Sequence, residues 1–192
     1  MAVNVVVVPH DPNWFAKFSR ESTAVLRALG DTVLAVHHVG STSIAGVYAK
    51  PIVDMLGEVR ELGSVDARNE AMADLGYEAM GECGIPGRRY FRKNNALGER
   101  EFNVHLFAAG SAAIERHLAF RDFLRAHEDL AAEYSELKRR LARQHPDSID
   151  LYMDGKDAFV KEIERQAVAW RRSAQLSPTR EVTAAFAAER SR

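Results

Sequence analysis

The chain has 192 residues, of which 46% are hydrophobic and 28% charged, values that are typical of one globular domain or of a domain with a helical extension. Its formal net charge of −1 argues against a general basic surface for nucleic acid or for an acidic membrane. The single cysteine, Cys83, excludes an intrachain disulfide framework, and no apolar run approaches the length of a membrane span. We therefore expect a cytoplasmic protein.

The first predicted elements are a strand and a helix. Residues 3–8 form an almost continuous β-branched run, which favours a strand. Apolar residues from Trp14 to Leu29 recur at helical spacing and predict an amphipathic helix that ends at Gly30. Because Trp14 lies on the apolar stripe, we expect it in the core rather than against a nucleobase.

The next segment carries the strongest functional signal. Apolar runs over 33–39 and 51–59 predict two strands, joined by a small-residue loop that begins at Gly40. Glycine lets the backbone approach a ligand closely, and Asp54 in the second run offers the oxygen ligands that Mg²⁺ prefers. Hydroxyl and backbone N–H groups suited to phosphate follow the glycine, at Ser41, Thr42 and Ser43. The pattern indicates a site that holds a phosphate chain beside a metal.

The charge of Asp54 needs compensation, because a carboxylate is costly to bury in an apolar strand. Magnesium bound together with a nucleoside triphosphate would supply it. The alternative is an internal ion pair with Lys50 or Arg88. Lys50 itself precedes the strand, where it either reaches a phosphate or is solvated.

The middle of the chain predicts a helix followed by a hairpin. We expect a helix over 64–75, a short strand over 77–80, a glycine-rich loop over 81–87, and a hairpin built from 88–93 and 101–107. On the return strand Glu101, Asn103 and His105 alternate with apolar residues and share one face. His105 there suits a metal ligand, a proton carrier or a phosphate contact, or it is a structural histidine with a backbone partner.

The pattern changes to helices after Gly110. Helical periodicity predicts one helix over 112–127, a second around the stripe 130–141, and a third from Ser148 to about Trp170. The basic run 138–140 is interpreted as a solvated helix face. We divide the chain into an α/β core over 1–110, C-terminal helices packed on it over 111–172, and a mobile tail over 173–192.

Several motifs resemble the GrpB family, a branch of the nucleotidyltransferase superfamily with the DNA polymerase beta-like fold. The loop Gly-Ser-Thr-Ser-Ile-Ala-Gly at 40–46 and the sequence Ala-Lys-Pro-Ile-Val-Asp at 49–54 carry the resemblance, which continues at 84–91, 105–106, 117–122 and 155–159. The resemblance implies an α/β (α+β) nucleotidyltransferase-like fold, with a small mixed sheet flanked by helices and a helical C-terminal part.

The resemblance also implies an activity. A nucleoside triphosphate, with ATP expected, and Mg²⁺ would serve to modify a small-molecule acceptor. Gly40 and Ser41 would hold the β- and γ-phosphates, Asp54 would bind the metal, and His105 would join Asp54 in catalysis. The expected cations for phosphate charge are Lys50, Arg88, Arg89, Lys93 and Lys156.

Two departures from the superfamily pattern keep other functions open. Leu56 stands where a second acid is usual, and Glu58 lies roughly 13 Å further along an unbroken strand, unless Gly57 forms a bulge. Asn103 stands where the family more often has histidine. One alternative is an NTP-dependent ligase or phosphotransferase that uses the same pocket. The other is a catalytically degenerate nucleotide-binding domain related to coenzyme A biosynthesis, because some family members are fused to a kinase of that pathway.

Overall fold

The computed structural model describes residues 5–176. This part of the chain forms five strands and six α-helices. In chain order they are α1 (Asn13–Leu29), β1 (Val33–Val39), β2 (Val53–Val59), α2 (Leu62–Asp66), α3 (Asn69–Asp74), β3 (Tyr77–Ala79), β4 (Arg88–Asn94), β5 (Arg100–Ala108), α4 (Ala112–Ala126), α5 (Glu128–Gln144) and α6 (Ile149–Leu176). No helix in residues 5–176 is long and apolar enough to cross a membrane.

The strands form one mixed sheet in the order β1-β2-β5-β4-β3. Strands β2 and β5 are parallel, whereas the other three neighbouring pairs are antiparallel. The parallel register places Asp54 opposite Asn103 and Leu56 opposite His105. The predicted small mixed sheet is confirmed, and its central strands carry the candidate catalytic residues.

Side chains alternate between two faces of the sheet, so each strand serves two environments. The core face carries Val53 and Met55 of β2, which pack with Trp14 of α1 and with Val65 and Met72 of α2 and α3. Trp14 is buried there, as predicted. We call the opposite face, which carries Asp54, Asn103 and His105, the site face.

The C-terminal helices cover part of the site face. Leu56 and Phe107 pack against Ile114 and Leu118 of α4. A second apolar cluster joins α4, α5 and α6 to Ile44 and Val47 of the loop that precedes β2, with Phe123, Tyr134 and Ile163 as members. A Cβ atom at Gly155 of α6 would lie 2.4 Å from Leu141 Cδ2, so this glycine permits the close approach of α5.

Three predicted elements differ from the structure. The strand expected over 3–8 is reduced, within the described residues, to an antiparallel bridge between Val8 and Ala49, and Val5 N donates to Pro146 O at 2.7 Å. The helix expected over 64–75 is divided into α2 and α3. Helix α6 continues to Leu176, past the predicted boundary at 172, and residues 177–192 of the predicted tail lie outside the described residues.

Candidate functional site

The turn after β1 lies directly against Asp54. Val39 pairs with Asp54 across the sheet, and Gly40 follows with φ +70°, a conformation that favours glycine. A Cβ atom at Gly40 would lie 2.5 Å from Asp54 Oδ2, which is shorter than any tolerated contact. Both backbone conformation and contact therefore require glycine here. The predicted neighbourhood of Gly-Ser turn and acid is present.

The turn uses its own hydroxyl groups for structure. Ser43 Oγ donates to Gly40 O at 2.6 Å, and Thr42 Oγ1 lies 3.0 Å from His38 Nε2. Thr42 and Ser43 are buried, so their hydroxyls stabilise the 3₁₀ turn Ser41–Ser43 and are not directed at a ligand. The phosphate-binding role of Thr42 and Ser43 stays a prediction, which the hydrogen bonds of their hydroxyls do not support. Ser41 is half-buried beside the Tyr134 hydroxyl.

Two arginines of α4 donate hydrogen bonds to backbone carbonyl groups in this turn and just before it. Arg125 donates from Nε and Nη2 to Ser43 O at 2.9 and 2.7 Å, and Arg121 Nη1 donates to His38 O at 3.1 Å. Burial and the Arg125 charge lower the pKa of His38 to about 4, so its ring is neutral at pH 7. The sequence analysis missed both arginines; their i, i+4 spacing on a predicted helix was the available signal.

Asp54 is held as an ion by its neighbours. Asn103 Nδ2 donates to Asp54 Oδ1 at 2.8 Å, and His105 Nε2 lies 3.9 Å from the same oxygen. Burial raises the pKa of Asp54, but the neighbouring His105 imidazole, the Asn103 amide and the Lys50 charge outweigh burial, and the net pKa is lowered. The side chain remains 30% exposed. Asp54 is thus compensated by partners other than an Arg88 ion pair.

Hydrogen bonds fix the orientation of the Asn103 amide. The Tyr90 hydroxyl donates to Asn103 Oδ1 at 2.7 Å, and Arg100 Nη1 donates both to that oxygen at 3.2 Å and to the Tyr90 oxygen at 3.0 Å. Because Oδ1 accepts from two donors, the amide NH₂ must face Asp54. Glu101, which was expected on the same face, pairs instead with Lys17 of α1 at 2.9 Å.

The contact with Arg88 indicates which ring nitrogen of His105 carries the proton. Arg88 Nη1 lies 3.4 Å from His105 Nδ1, and a guanidinium only donates, so Nδ1 accepts and Nε2 carries the proton. Arg88 also donates from Nε to Glu82 O and from Nη2 to Cys83 O. Its side chain is therefore occupied in tying the glycine-rich loop to the sheet. These contacts give Arg88 a structural role, and its role in phosphate binding stays a prediction.

Three lysines lie over the rings of two tyrosines, Tyr134 of α5 and Tyr152 of α6. Lys50 and Lys156 Nζ lie 5.9 and 5.7 Å from the centre of the Tyr152 ring, and Lys138 Nζ lies 4.3 Å from that of Tyr134. Burial and then the charge of the other lysine lower the pKa of Lys50, whereas Asp54 raises it. Burial lowers the pKa of Lys156, which Asp54 also opposes. The charge of Asp54 therefore acts on both Lys50 and Lys156.

Lys138 is the unexpected member of this group, which we call the lysine cluster. It is only 2% exposed, and its Nζ atom has no hydrogen-bond partner among the described residues. Burial and the charge of Lys156 lower the pKa of Lys138 to about 7. The interpretation of 138–140 as a solvated helix face is therefore wrong for Lys138, which is buried over the Tyr134 ring.

Two predicted cations are not brought to the site. Arg89 donates to both carboxylate oxygens of Asp66 at 2.6 and 2.9 Å, and Lys93 Nζ donates to Glu21 at 2.7 Å. Both alternate with Arg88 along β4 and lie on the core face, so the structure does not place them with Asp54, and their phosphate-binding role stays a prediction. Glu58 pairs with His37 at 2.8 Å on a strand whose pairing with β5 is unbroken, and it does not join Asp54.

Magnesium fits the carboxylate of Asp54 as part of a shared site. No group of three or more His, Cys, Asp or Glu side chains within residues 5–176 is placed to hold a metal ion by itself. Mg²⁺ in phosphate-transfer sites is commonly held by one or two carboxylates together with substrate phosphates and water. A partly exposed, ionised Asp54 has the hard oxygen donors for such a site.

Comparison with known sequences decides the family. The sequence profile of the GrpB protein family matches residues 4–166. The chain belongs to the GrpB family. It is 45% identical over 168 residues to UPF0157 protein YqkA of Bacillus subtilis; the match covers 88% of this chain and 48% of YqkA. A dephospho-CoA kinase of Mycolicibacterium paratuberculosis is 28% identical over 197 residues, which cover 91% of this chain and 48% of the kinase.

Solved structures show the fold of this GrpB protein. The crystal structure of GrpB from Enterococcus faecalis matches with a TM-score of 0.82 and 42% identity, over 86% of this chain and 99% of the other. Cid1 poly(U) polymerase in its MgGTP-bound form matches with a TM-score of 0.50 and 12% identity, over 71% of this chain and 44% of Cid1. The fold is nucleotidyltransferase-like, as the sequence motifs predict.

Proposed function

We propose that this GrpB protein transfers a nucleotidyl group from a nucleoside triphosphate, with ATP as the expected donor, to a small-molecule acceptor in a Mg²⁺-assisted reaction. The observation that carries the proposal is the contact between the Gly40 turn and Asp54, where no side chain fits between them. This contact places the backbone of the Gly40 turn directly against an ionised carboxylate, and backbone N–H groups beside a carboxylate that can bind a metal are the elements that a phosphate site needs.

The lysine cluster supports the phosphate end of the same site. Lys138 is buried without a hydrogen-bond partner, and a buried lysine in that state lowers the stability of the fold. A triphosphate bound between Ser41 and the lysine cluster would supply the missing negative charge. Lys50 and Lys156 would hold the phosphates whose charge increases as pyrophosphate leaves.

The remaining chemistry is divided among residues already in place. Asp54 would hold the metal, which when bound supplies positive charge to the phosphates. Arg125 binds the Ser43 carbonyl of the turn and Arg121 binds the His38 carbonyl of β1 just before it, so the turn is preorganised before the nucleotide arrives. His105 presents an Nε2–H donor beside Asp54, and it would stabilise charge rather than remove a proton.

Thermal shift with ATP, with and without Mg²⁺, tests the proposal, because a ligand that binds only the folded state must raise the apparent stability. We expect a Mg²⁺-dependent rise for the wild-type protein. Gly40→Val would fill the space next to Asp54 and should abolish the rise. The matched control is Arg89→Met, which changes a residue away from the cleft and should keep it. A folded Gly40→Val protein with an unchanged ATP shift would refute the assignment.

A second function is favoured by two particular positions. Leu56 stands where an active nucleotidyltransferase usually has its second acid, and Asn103 stands where the family more often has histidine. In a dephospho-CoA kinase, the matching residues make up about half of a longer protein. These observations favour a nucleotide-binding accessory domain related to coenzyme A biosynthesis. Tight ATP binding without pyrophosphate release, over a range of acceptors, would support this function against transfer.

A further inference from the structure

The hydrogen-bonding groups beside Asp54 suggest the chemical class of the acceptor, an inference that rests on the proposed function. Transfer to a neutral hydroxyl requires a group that removes its proton. Three positions around Asp54 are the natural places for such a base: Leu56 on the same strand, and Asn103 and His105 on the adjacent strand. Leu56 is apolar and packs against α4, so only Asn103 and His105 remain as candidate bases among these three positions.

Asn103 presents a donor to this place. An amide is not a base, and its oxygen is already engaged by the Tyr90 hydroxyl and by Arg100. The NH₂ group therefore faces Asp54. Arg100 is itself held in position, because its Nε donates to Asn94 Oδ1 at 2.8 Å. The hydrogen bonds from Tyr90 and Arg100 therefore keep an amide donor, and not a base, beside Asp54.

His105 also presents a donor. Arg88 occupies Nδ1, so the proton lies on Nε2, the nitrogen that faces Asp54. The Tyr90 ring stacks on the imidazole at a centroid distance of 5.1 Å and restricts its rotation. In this tautomer the nitrogen nearest the reacting groups already carries a proton and has no lone pair to accept one.

Asp54 and the lysine cluster could also accept a proton, but each has a different role in the proposed site. Asp54 already accepts a hydrogen bond from Asn103 Nδ2, and it is the proposed metal ligand. Lys138 interacts with Lys156 and the Tyr134 ring, at the phosphate end of the cleft. The charge of Arg100 acts on Lys50, so positive charge extends from the lysine cluster to the Asn103 side of Asp54.

We infer that the acceptor attacks with an oxygen that is already anionic, as in a carboxylate or a phosphate monoester. A lone pair of that oxygen forms a bond to the α-phosphorus, the bond from the α-phosphorus to the bridging oxygen breaks, and pyrophosphate leaves with the electron pair. No proton has to be removed in this step. Arg100 and the donors of Asn103 and His105 match such an acceptor in charge and in hydrogen bonding.

The tautomer of His105 is the first test, and it needs no substrate. Long-range ¹H–¹⁵N spectra of the wild-type protein, assigned with His105→Gln, should show the Nε2–H form. Arg88→Met should change the His105 signals, Arg88→Lys should retain the tautomer because it keeps a donor, and Arg89→Met should leave the signals unchanged. A wild-type Nδ1–H form would overturn the inference, because Nε2 could then act as a base.

The second test compares three acceptors with one carbon skeleton: propanoate, propyl phosphate and 1-propanol. With ATP labelled at the α-phosphate, we expect a labelled product from an anionic probe and none from 1-propanol. Hydroxylamine traps the mixed anhydride formed from propanoate and so distinguishes carboxylate from phosphate. Asn103→Asp introduces a base beside Asp54, and it should reduce transfer to the anionic probe at least about tenfold while allowing transfer to 1-propanol.

The outcomes separate this inference from the proposed function. Transfer to 1-propanol in preference to both anions would overturn the inference and uphold nucleotidyl transfer. Absence of any Mg²⁺-dependent ATP shift would refute nucleotidyl transfer, whatever the tautomer. If ATP binds and none of the three probes reacts, the tautomer decides: Nε2–H upholds the anionic acceptor and Nδ1–H overturns it.

Discussion

Replacing Lys138 with methionine should make the protein more stable and its nucleotide binding weaker. Lys138 Nζ is buried without a hydrogen-bond partner, and its pKa falls from 10.5 to about 7. At pH 7 this difference corresponds to ~4 kcal/mol of lost stability. The cation–π contact with the Tyr134 ring returns about 1 kcal/mol. Methionine fills a similar volume without charge, so we expect a net gain of about 3 kcal/mol in the free energy of unfolding.

The gain should depend on pH in a defined direction. Between pH 7 and 10.5 the unfolded chain binds the proton that the folded Lys138 releases, so wild-type stability rises with pH in this window. The advantage of Lys138→Met should accordingly shrink by about 2 kcal/mol from pH 7 to pH 9. Urea denaturation at both pH values measures this change, and Lys161→Met, at an exposed lysine of α6, is the control. A destabilised Lys138→Met protein, or a gain that does not change with pH, would refute the reasoning.

Two further substitutions test the turn and the acid. Arg125→Met removes both hydrogen bonds to Ser43 O and should weaken ATP binding at least about tenfold by calorimetry, with partial rescue by Arg125→Lys; equal affinities for all three proteins would show that Arg125 does not position the turn. Asp54→Asn should abolish the Mg²⁺-dependent ATP shift and lower apo stability by about 1–3 kcal/mol at pH 7. Because the folded pKa of Asp54 is lowered, that stability loss should diminish as the pH falls through its folded pKa, and a constant loss down to pH 3 would contradict it.

Local patterns predicted most of the fold. The hairpin of β4 and β5, the strands on either side of the Gly40 turn and the three C-terminal helices follow from alternation and helical spacing. Residues 3–8 were misjudged because a β-branched run indicates an extended backbone without showing that a neighbouring strand exists to pair with it. The Gly40 contact with Asp54 was predictable, because a turn between two adjacent strands must return beside the second strand.

The roles of individual cations could not be predicted in the same way. Neighbouring residues of a strand point to opposite faces of the sheet, and the sequence does not show which face carries the site. In β4, Arg89 reaches Asp66 on the core face, whereas Arg88 reaches His105 on the site face. The burial of Lys138 depends on where α5 crosses the core, which no local pattern encodes. The orientation of the Asn103 amide is set by Tyr90 and Arg100, whose contacts appear only in three dimensions.

The boundary near residue 110 divides the chain by secondary structure but does not divide the candidate site. The strands supply the acid and the donors around it, namely Asp54, Asn103 and His105, whereas α5 and α6 supply Lys138 and Lys156. The turn between them is bound from α4, because Arg125 holds the Ser43 carbonyl. Without the helices, Asp54 would keep its strand neighbours but would lose the cations at the phosphate end and the support of the turn. Nucleotide binding is therefore expected to require both parts of the chain.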